Sequence, residues 1–232
     1  MSDRSPSTSG AESAPAVPEA TGEAEQRGSL LGFVAHEVRN PLSTALWSAE
    51  LLARLSPEER AGARGQKLAG MCLRSLQRLR LLVEDHFLAE RLEAGGMPMR
   101  REEVPLREAL EAARTRAGPA AVDVAVAEDV TAWADRGLVE RALEGILAVV
   151  GRDGAVASVV AARGPDGVAL TFRGAPLAAD ALQPPRKGTA SDPSGRALSL
   201  HVAARAAQVL GGSLAAAGGG LVLLLPTPPD AA

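Results

Sequence analysis

Leu31, Val34, Val38, Leu42, Ala45, Ala49 and Leu52 recur at intervals of three and four, which lines one face of a 3.6-residue period. The spacing predicts a long amphipathic helix. Ser56-Pro57-Glu58-Glu59 then reads as a stop and a restart: Ser56 caps the next helix, Pro57 fits its first position and Glu59 closes a capping box. The second helix carries Leu68, Cys72, Leu76, Leu79, Val83 and Phe87 at the same spacing, and Gly95-Gly96 supplies a left-handed ending. Two long helices joined by a short turn make a hairpin. Each is roughly 40 Å long at 1.5 Å per residue and cannot cover both of its apolar stripes, so the hairpin is expected to dimerise into a four-helix bundle.

After Gly96 the texture changes to short β-type runs, 122–126, 155–161, 168–172 and 221–225, alternating with helical runs, 106–116, 137–150 and 197–210. The predicted class is α+β, a helical hairpin followed by an α/β sandwich. The stretch from Pro184 to Gly195 is too rich in breakers to be an element and is expected to be a mobile loop. Residues 1–28 are Ser, Ala, Pro and Glu with almost no large apolar side chain, so a disordered tail is expected there. The chain therefore divides into a disordered tail at 1–28, a hairpin at 29–95 and a second domain at 96–232.

Composition narrows what such a chain can do. Its 232 residues are 46% hydrophobic and 23% charged, enough for a substantial core. Aromatics make up 2% with no Tyr, which leaves little to stack on bases or sugars. A net charge of -3 supplies no broad basic field, so nucleic acid is not an expected partner. The single cysteine, Cys72, excludes an internal disulfide and any multi-cysteine metal site, and it fits a helix core position. No apolar run approaches the roughly 20 residues that span a bilayer, and no basic start followed by an apolar stretch opens the chain. A cytoplasmic, soluble protein without a membrane segment is expected.

The segment with chemical content is His36-Glu37-Val38-Arg39-Asn40-Pro41-Leu42. If Val34, Val38 and Leu42 face the bundle, His36 points outward with Arg39 and Asn40 on its side. An exposed imidazole beside a carboxylate suits a nucleophile: Glu37 takes or orients the ring proton and the other nitrogen attacks phosphorus. Pro41 cannot donate to the carbonyl of Glu37, so a bend is expected just below the histidine. His86 and His201 have no such company and read as surface or packing residues.

These seven residues resemble, without a gap, the phosphoacceptor box of the sensor histidine kinases of two-component signalling. The resemblance covers about 29–228. It implies that His36 is the phosphoacceptor, Glu37 its general base, and Asn40 the residue that positions a water for dephosphorylation. Ala89 to Gly95 looks like the family's exit from the dimerisation hairpin into its ATP-binding domain. Ala134-Asp135, Gly211-Gly212-Ser213 and Leu225-Pro226 resemble the frame of that domain.

Within the frame, the chemistry departs from the family. Val149 stands where relatives carry the magnesium-ligating asparagine, and valine has no lone pair for a metal. Arg152 matches the basic position three residues later. Arg173 or Gly174 stands where an aspartate accepts from adenine, and arginine cannot accept. Gly195-Arg196-Ala197-Leu198-Ser199-Leu200-His201 aligns with the glycine-rich phosphate loop, with Ala197 and Ser199 adding side chains where backbone approaches phosphate. Arg196 and Lys187 are cations that compensate.

The resemblance thus implies ATP and Mg2+ as cofactors, with Arg152, Lys187, Gly195 and Arg196 as nucleotide-binding candidates and Glu144 or Asp153 as an alternative magnesium ligand. It implies a homodimer that autophosphorylates His36 and passes the phosphoryl group to an aspartate of a response regulator receiver domain. The alternative is a dimeric phosphotransferase or signalling scaffold whose ATP-binding fold is vestigial.

Overall fold

The computed structural model describes residues 19–117, 121–152, 155–177, 180–185 and 196–228, with side chains from Leu30 onward. Helix α1 runs Glu19–Arg54, the short helix α2 Pro57–Ala61 and helix α3 Ala63–Ala94. The first helix begins well before the expected boundary, so 19–28 is helical and not part of a disordered tail. Glu, Ala, Gln and Arg are strong helix formers, and extending a helix already nucleated downstream adds one bond per residue without a new nucleation cost. Residues 1–18 lie outside the described residues, as does 186–195 of the expected mobile loop.

The restart at Ser56 has the form its residues dictate. Ser56 Oγ accepts from Glu59 N at 3.2 Å while Glu59 Oε2 accepts from Ser56 N at 3.1 Å, closing both halves of the capping box. This cap opens only α2, because Gly62 is extended (φ -83°, ψ -178°) and α3 starts anew after it. At the other end Gly95 and Gly96 have φ of 69° and 71°, where a side chain would be strained. The chain turns there out of the hairpin.

Within one chain, α1 packs on α3 through Leu30, Phe33, Val34, Glu37, Pro41, Ala45 and Ser48, and α3 buries Leu68, Leu82, Asp85, Ala89 and Leu92. Much of the stripe selected by periodicity lies elsewhere: Leu31 is 58% exposed, Leu42 41%, Leu76 47% and Phe87 62%. Each helix carries two apolar stripes, and the intrachain contact consumes one. Periodicity does not say which of the two it will be.

Strands β1 (Arg101–Pro105) and β3 (Thr131–Asp135) pair antiparallel with Arg101 opposite Asp135. The main sheet holds β2 (Val122–Ala125), β4 (Ala157–Gly164), β5 (Gly167–Arg173), β6 (Ser213–Ala217) and β7 (Gly220–Leu225) in the order β2-β4-β5-β7-β6. The β2–β4 pair is parallel and the others are antiparallel. Trp133 N donates to the Pro226 carbonyl at 2.8 Å, which ties the two sheets together. Helices α4 (Leu106–Ala117), α5 (Arg136–Val150) and α6 (Arg196–Val209) cover one face. Their fully buried Leu110, Leu143, Leu147 and Leu198 meet Leu170, Phe172 and Leu223 of the sheet in one aliphatic core. Leu82, Ala89 and Leu92 of α3 join the same cluster, so the hairpin is docked on the sandwich by burial of apolar surface.

Candidate functional site

His36 is exposed, as are Arg39 and Asn40. Glu37 is not: its side chain is fully buried, 3.7 Å from Arg78 on α3. The carboxylate next to His36 in sequence thus faces Arg78 inside the hairpin while the imidazole faces solvent. Successive helical residues point about 100° apart, so the rotation that presents His36 to solvent turns Glu37 into the hairpin. The backbone carbonyl of Asn40 accepts from Thr44 Oγ1 at 3.1 Å, and that of Thr44 accepts from Ser48 Oγ at 2.7 Å. Asn40, Pro41 and Thr44 form one wall of a pocket of about 400 Å³ whose other wall is Met71, Arg74, Ser75 and Arg78.

On the sandwich side, Asp135 caps α5 by accepting from Leu138 N at 3.1 Å and also accepts from Arg100 N at 3.0 Å. The Ala-Asp pair is thus the start signal of α5. Helices α5 and α6 cross so closely that a Cβ on Gly145 would lie 2.7 Å from the Ser199 carbonyl oxygen. Val149 is buried. Gly174 admits backbone: a Cβ there would lie 2.2 Å from the Val150 carbonyl oxygen, which accepts from Ala175 N at 2.7 Å. Arg173 is exposed beside it. Arg152 donates to the Pro176 carbonyl.

These residues do not fit magnesium. Val149 offers no oxygen, and the Glu144 carboxylate is engaged by Arg141 at 3.0 Å and by Arg116 at 3.5 Å. Among the described residues no group of three His, Cys, Asp or Glu side chains converges on a common point. Asp153, Lys187 and Gly195 lie outside the described residues.

Hairpin and sandwich meet at a buried polar clasp. Asp85 of α3 is almost fully buried, accepts from Arg141 of α5 and accepts from Ser199 Oγ of α6 at 2.6 Å. Burial raises the Asp85 pKa above the ordinary carboxylate value despite the neighbouring Arg141 and the Ser199 hydrogen bond. Lower down, buried His201 of α6 places Nε2 3.4 Å from Glu93 Oε1 of α3. Its pKa is lowered, chiefly because burial disfavours the imidazolium. Beside the clasp a cleft of about 800 Å³ opens between α3 and the helices of the sandwich, with Arg196 and Gly151 among its lining residues.

Residues 26–95 match the family model of the His Kinase A (phospho-acceptor) domain. The hairpin is a histidine kinase phosphoacceptor domain. The whole chain is similar in structure to the Acinetobacter baumannii histidine kinase AdeS, with a TM-score of 0.59 at 16% identity, covering 82% of this chain and 98% of that one. It is similar also to full-length ShkA in complex with AMPPNP, with a TM-score of 0.50 at 20% identity, covering 84% of this chain and 45% of that one. These likenesses establish the fold, a helical hairpin followed by an α/β domain like those of histidine kinases. No curated protein sequence matches the chain. Among the described residues no helix is long and apolar enough to cross a membrane.

Of the cations selected from the sequence, Arg196 reaches the cleft beside the phosphoacceptor hairpin, while Arg152 turns to the Pro176 carbonyl. Ser199, which stands in place of a loop glycine, turns its hydroxyl to the hairpin. Arg74, Arg78 and Asp85 of the hairpin and Arg116 and Arg141 of the sandwich belong to no motif that marks them in the sequence. The four-residue spacing of Arg74 and Arg78, which puts two cations on one helix face, was the available signal.

Proposed function

We propose that the chain is a two-component histidine kinase that autophosphorylates His36 from ATP and hands the phosphoryl group to an aspartate of a response regulator receiver domain. One observation carries the reading: an intact His-Glu-x-Arg-Asn-Pro-Leu box lies within the matched hairpin with the His36 side chain in solvent. In the first step a ring nitrogen of His36 forms a bond to the γ-phosphorus as the bond to the β-phosphate oxygen breaks, and ADP leaves with that electron pair. In the second, a carboxylate oxygen of the receiver aspartate forms its bond to phosphorus as the N–P bond breaks. Glu37 serves as base for the ring proton only when its contact with Arg78 opens. Asn40, exposed one turn beyond His36, is proposed to hold the water of dephosphorylation.

The unit of action is proposed to be a homodimer in the cytoplasm. Exposed Leu31, Leu42 and Leu46 of α1, with Leu73, Leu76, Val83 and Phe87 of α3, supply the apolar face that a second hairpin covers. Binding of AMPPNP by ShkA supports a nucleotide on this fold. The buried Val149 and the filled space at Gly174 favour the second reading, a phosphotransfer scaffold that takes its phosphoryl group from another protein.

Incubation of the full chain with γ-labelled ATP, beside His36→Ala, decides. The kinase reading expects an acid-labile label on the wild type and none on the variant. An unlabelled wild type that accepts phosphate on His36 from a phosphorylated receiver domain establishes the scaffold instead.

A further inference from the structure

Five arginines line the cleft between the hairpin and the sandwich: Arg74 and Arg78 from α3, Arg116 from α4, Arg141 from α5 and Arg196 from α6. The acidic residues on the same walls are Asp85 and Glu144. Both are spoken for, Asp85 by Arg141 and Ser199, Glu144 by Arg141 and Arg116. Among the described residues no carboxylate engages Arg74 or Arg196. Arg116 and Arg141 are matched by Glu144, Glu140 and Asp85, and Arg78 by Glu37, so the excess positive charge of the cleft rests on Arg74 and Arg196, and guanidinium is the side chain best matched to phosphate oxygens. A cleft of about 800 Å³ is also of the size that takes a nucleotide-sized ligand.

The position of the cleft is as telling as its charge. Arg74 and Arg78 line both this cleft and the small pocket that has Asn40 and Pro41 on its opposite wall. Arg78 lies 3.7 Å from Glu37, the residue next to His36. The same two arginines thus join the space beside α5 and α6 to the turn of α1 that carries the histidine. The clasp of Asp85 with Arg141 and Ser199 holds the walls together, so the cleft exists only while the sandwich is docked.

We propose that this cleft is the seat of the ligand's phosphate chain, its charge carried by Arg74 and Arg196 in place of the metal ion for which the described residues provide no ligands. The proposal rests on the kinase reading for the identity of the ligand, a nucleoside triphosphate. Arg74 comes from the phosphoacceptor hairpin and Arg196 from the sandwich, so docking of the two domains completes the phosphate site.

The test uses the full chain and inorganic tripolyphosphate in the presence of EDTA, so that only protein cations neutralise the probe. Calorimetry is expected to show binding. Arg74→Ala with Arg196→Ala weakens it about a hundredfold, each charged hydrogen-bonding partner being worth roughly tenfold or more. Arg80→Ala, an exposed arginine of the same helix outside the cleft, binds as wild type, and an unchanged unfolding midpoint shows that the double variant is folded. Absence of tripolyphosphate binding, or equal binding by wild type and double variant, overturns the proposal. Labelling of His36 at equal rates in both also overturns it while leaving the kinase reading intact. Arginine-dependent tripolyphosphate binding without any label on His36 from ATP upholds the phosphate site and removes the kinase reading.

Discussion

The hairpin and the sandwich place polarity at opposite depths. The hairpin buries Glu37, Ser48 and Asp85 and leaves Leu31, Leu46, Trp47, Leu73 and Phe87 in solvent. The sandwich buries an aliphatic core, and its two buried ionisable side chains among the described residues, Glu144 and His201, both face the hairpin side. An isolated bundle of two helices with its leucines outward is incomplete, whereas the sandwich is complete as a core. The difference teaches how the two halves use polarity: the hairpin leaves one apolar face in solvent and turns one polar seam to its own second domain.

The largest expected effect comes from breaking the apolar half of that comparison. Leu76→Asp with Phe87→Asp removes two side chains each worth about 1.5–3 kcal/mol of burial, counted twice in a symmetric dimer. Light scattering is expected to report a monomer. A dimer that survives the double substitution at micromolar concentration shows that the exposed stripe is not the interface.

A smaller effect is expected at the polar seam. Asp85→Ala takes from buried Arg141 one of its two carboxylate partners and leaves it Glu144 at 3.0 Å, so the cost is expected to fall below the roughly 3–5 kcal/mol of a buried charge left unpaired. The cost falls on docking, so limited proteolysis at the Gly95-Gly96 turn is expected to accelerate while the oligomeric state stays that of the wild type. Asp85→Asn retains an acceptor for Ser199 and lies between. Equal protease sensitivity of wild type and Asp85→Ala removes the clasp from the account.

The same contrast explains what the amino-acid pattern revealed. Helices 106–117, 136–150 and 196–209 were legible because each has an uninterrupted apolar face, and β5 and β7 because Val168 to Phe172 and Leu221 to Leu225 are buried runs bounded by glycine. Strand β1, Arg-Glu-Glu-Val-Pro, was not: it has one fully buried side chain, Val104, and exists by pairing with β3. The His36 box was legible because its chemistry is local. Burial of Glu37 was not, since it depends on which of two stripes α1 turns toward α3. The cleft was hidden for a further reason, because Arg74 and Arg196 meet only through the docking of elements more than a hundred residues apart.

The smallest effect is a pH dependence of docking set by His201. Its neighbours at the seam are Glu93, which favours the imidazolium, and Arg205, which opposes it; burial outweighs both and holds the pKa below the ordinary 6.5. A group whose folded pKa is depressed binds fewer protons when docked than when released, so protons favour release. Docking is therefore full above pH 6.5 and weakens as pH falls through that value toward the lowered one. Asp85 works the other way, since its raised pKa makes proton uptake easier in the docked state than in the released one. Between pH 7.5 and 5.5 the proteolysis rate at Gly95-Gly96 is expected to rise in the wild type and to rise less in His201→Gln, which fills the site without titrating. Identical pH profiles for the two proteins would falsify the assignment and leave the seam to the Asp85 clasp alone.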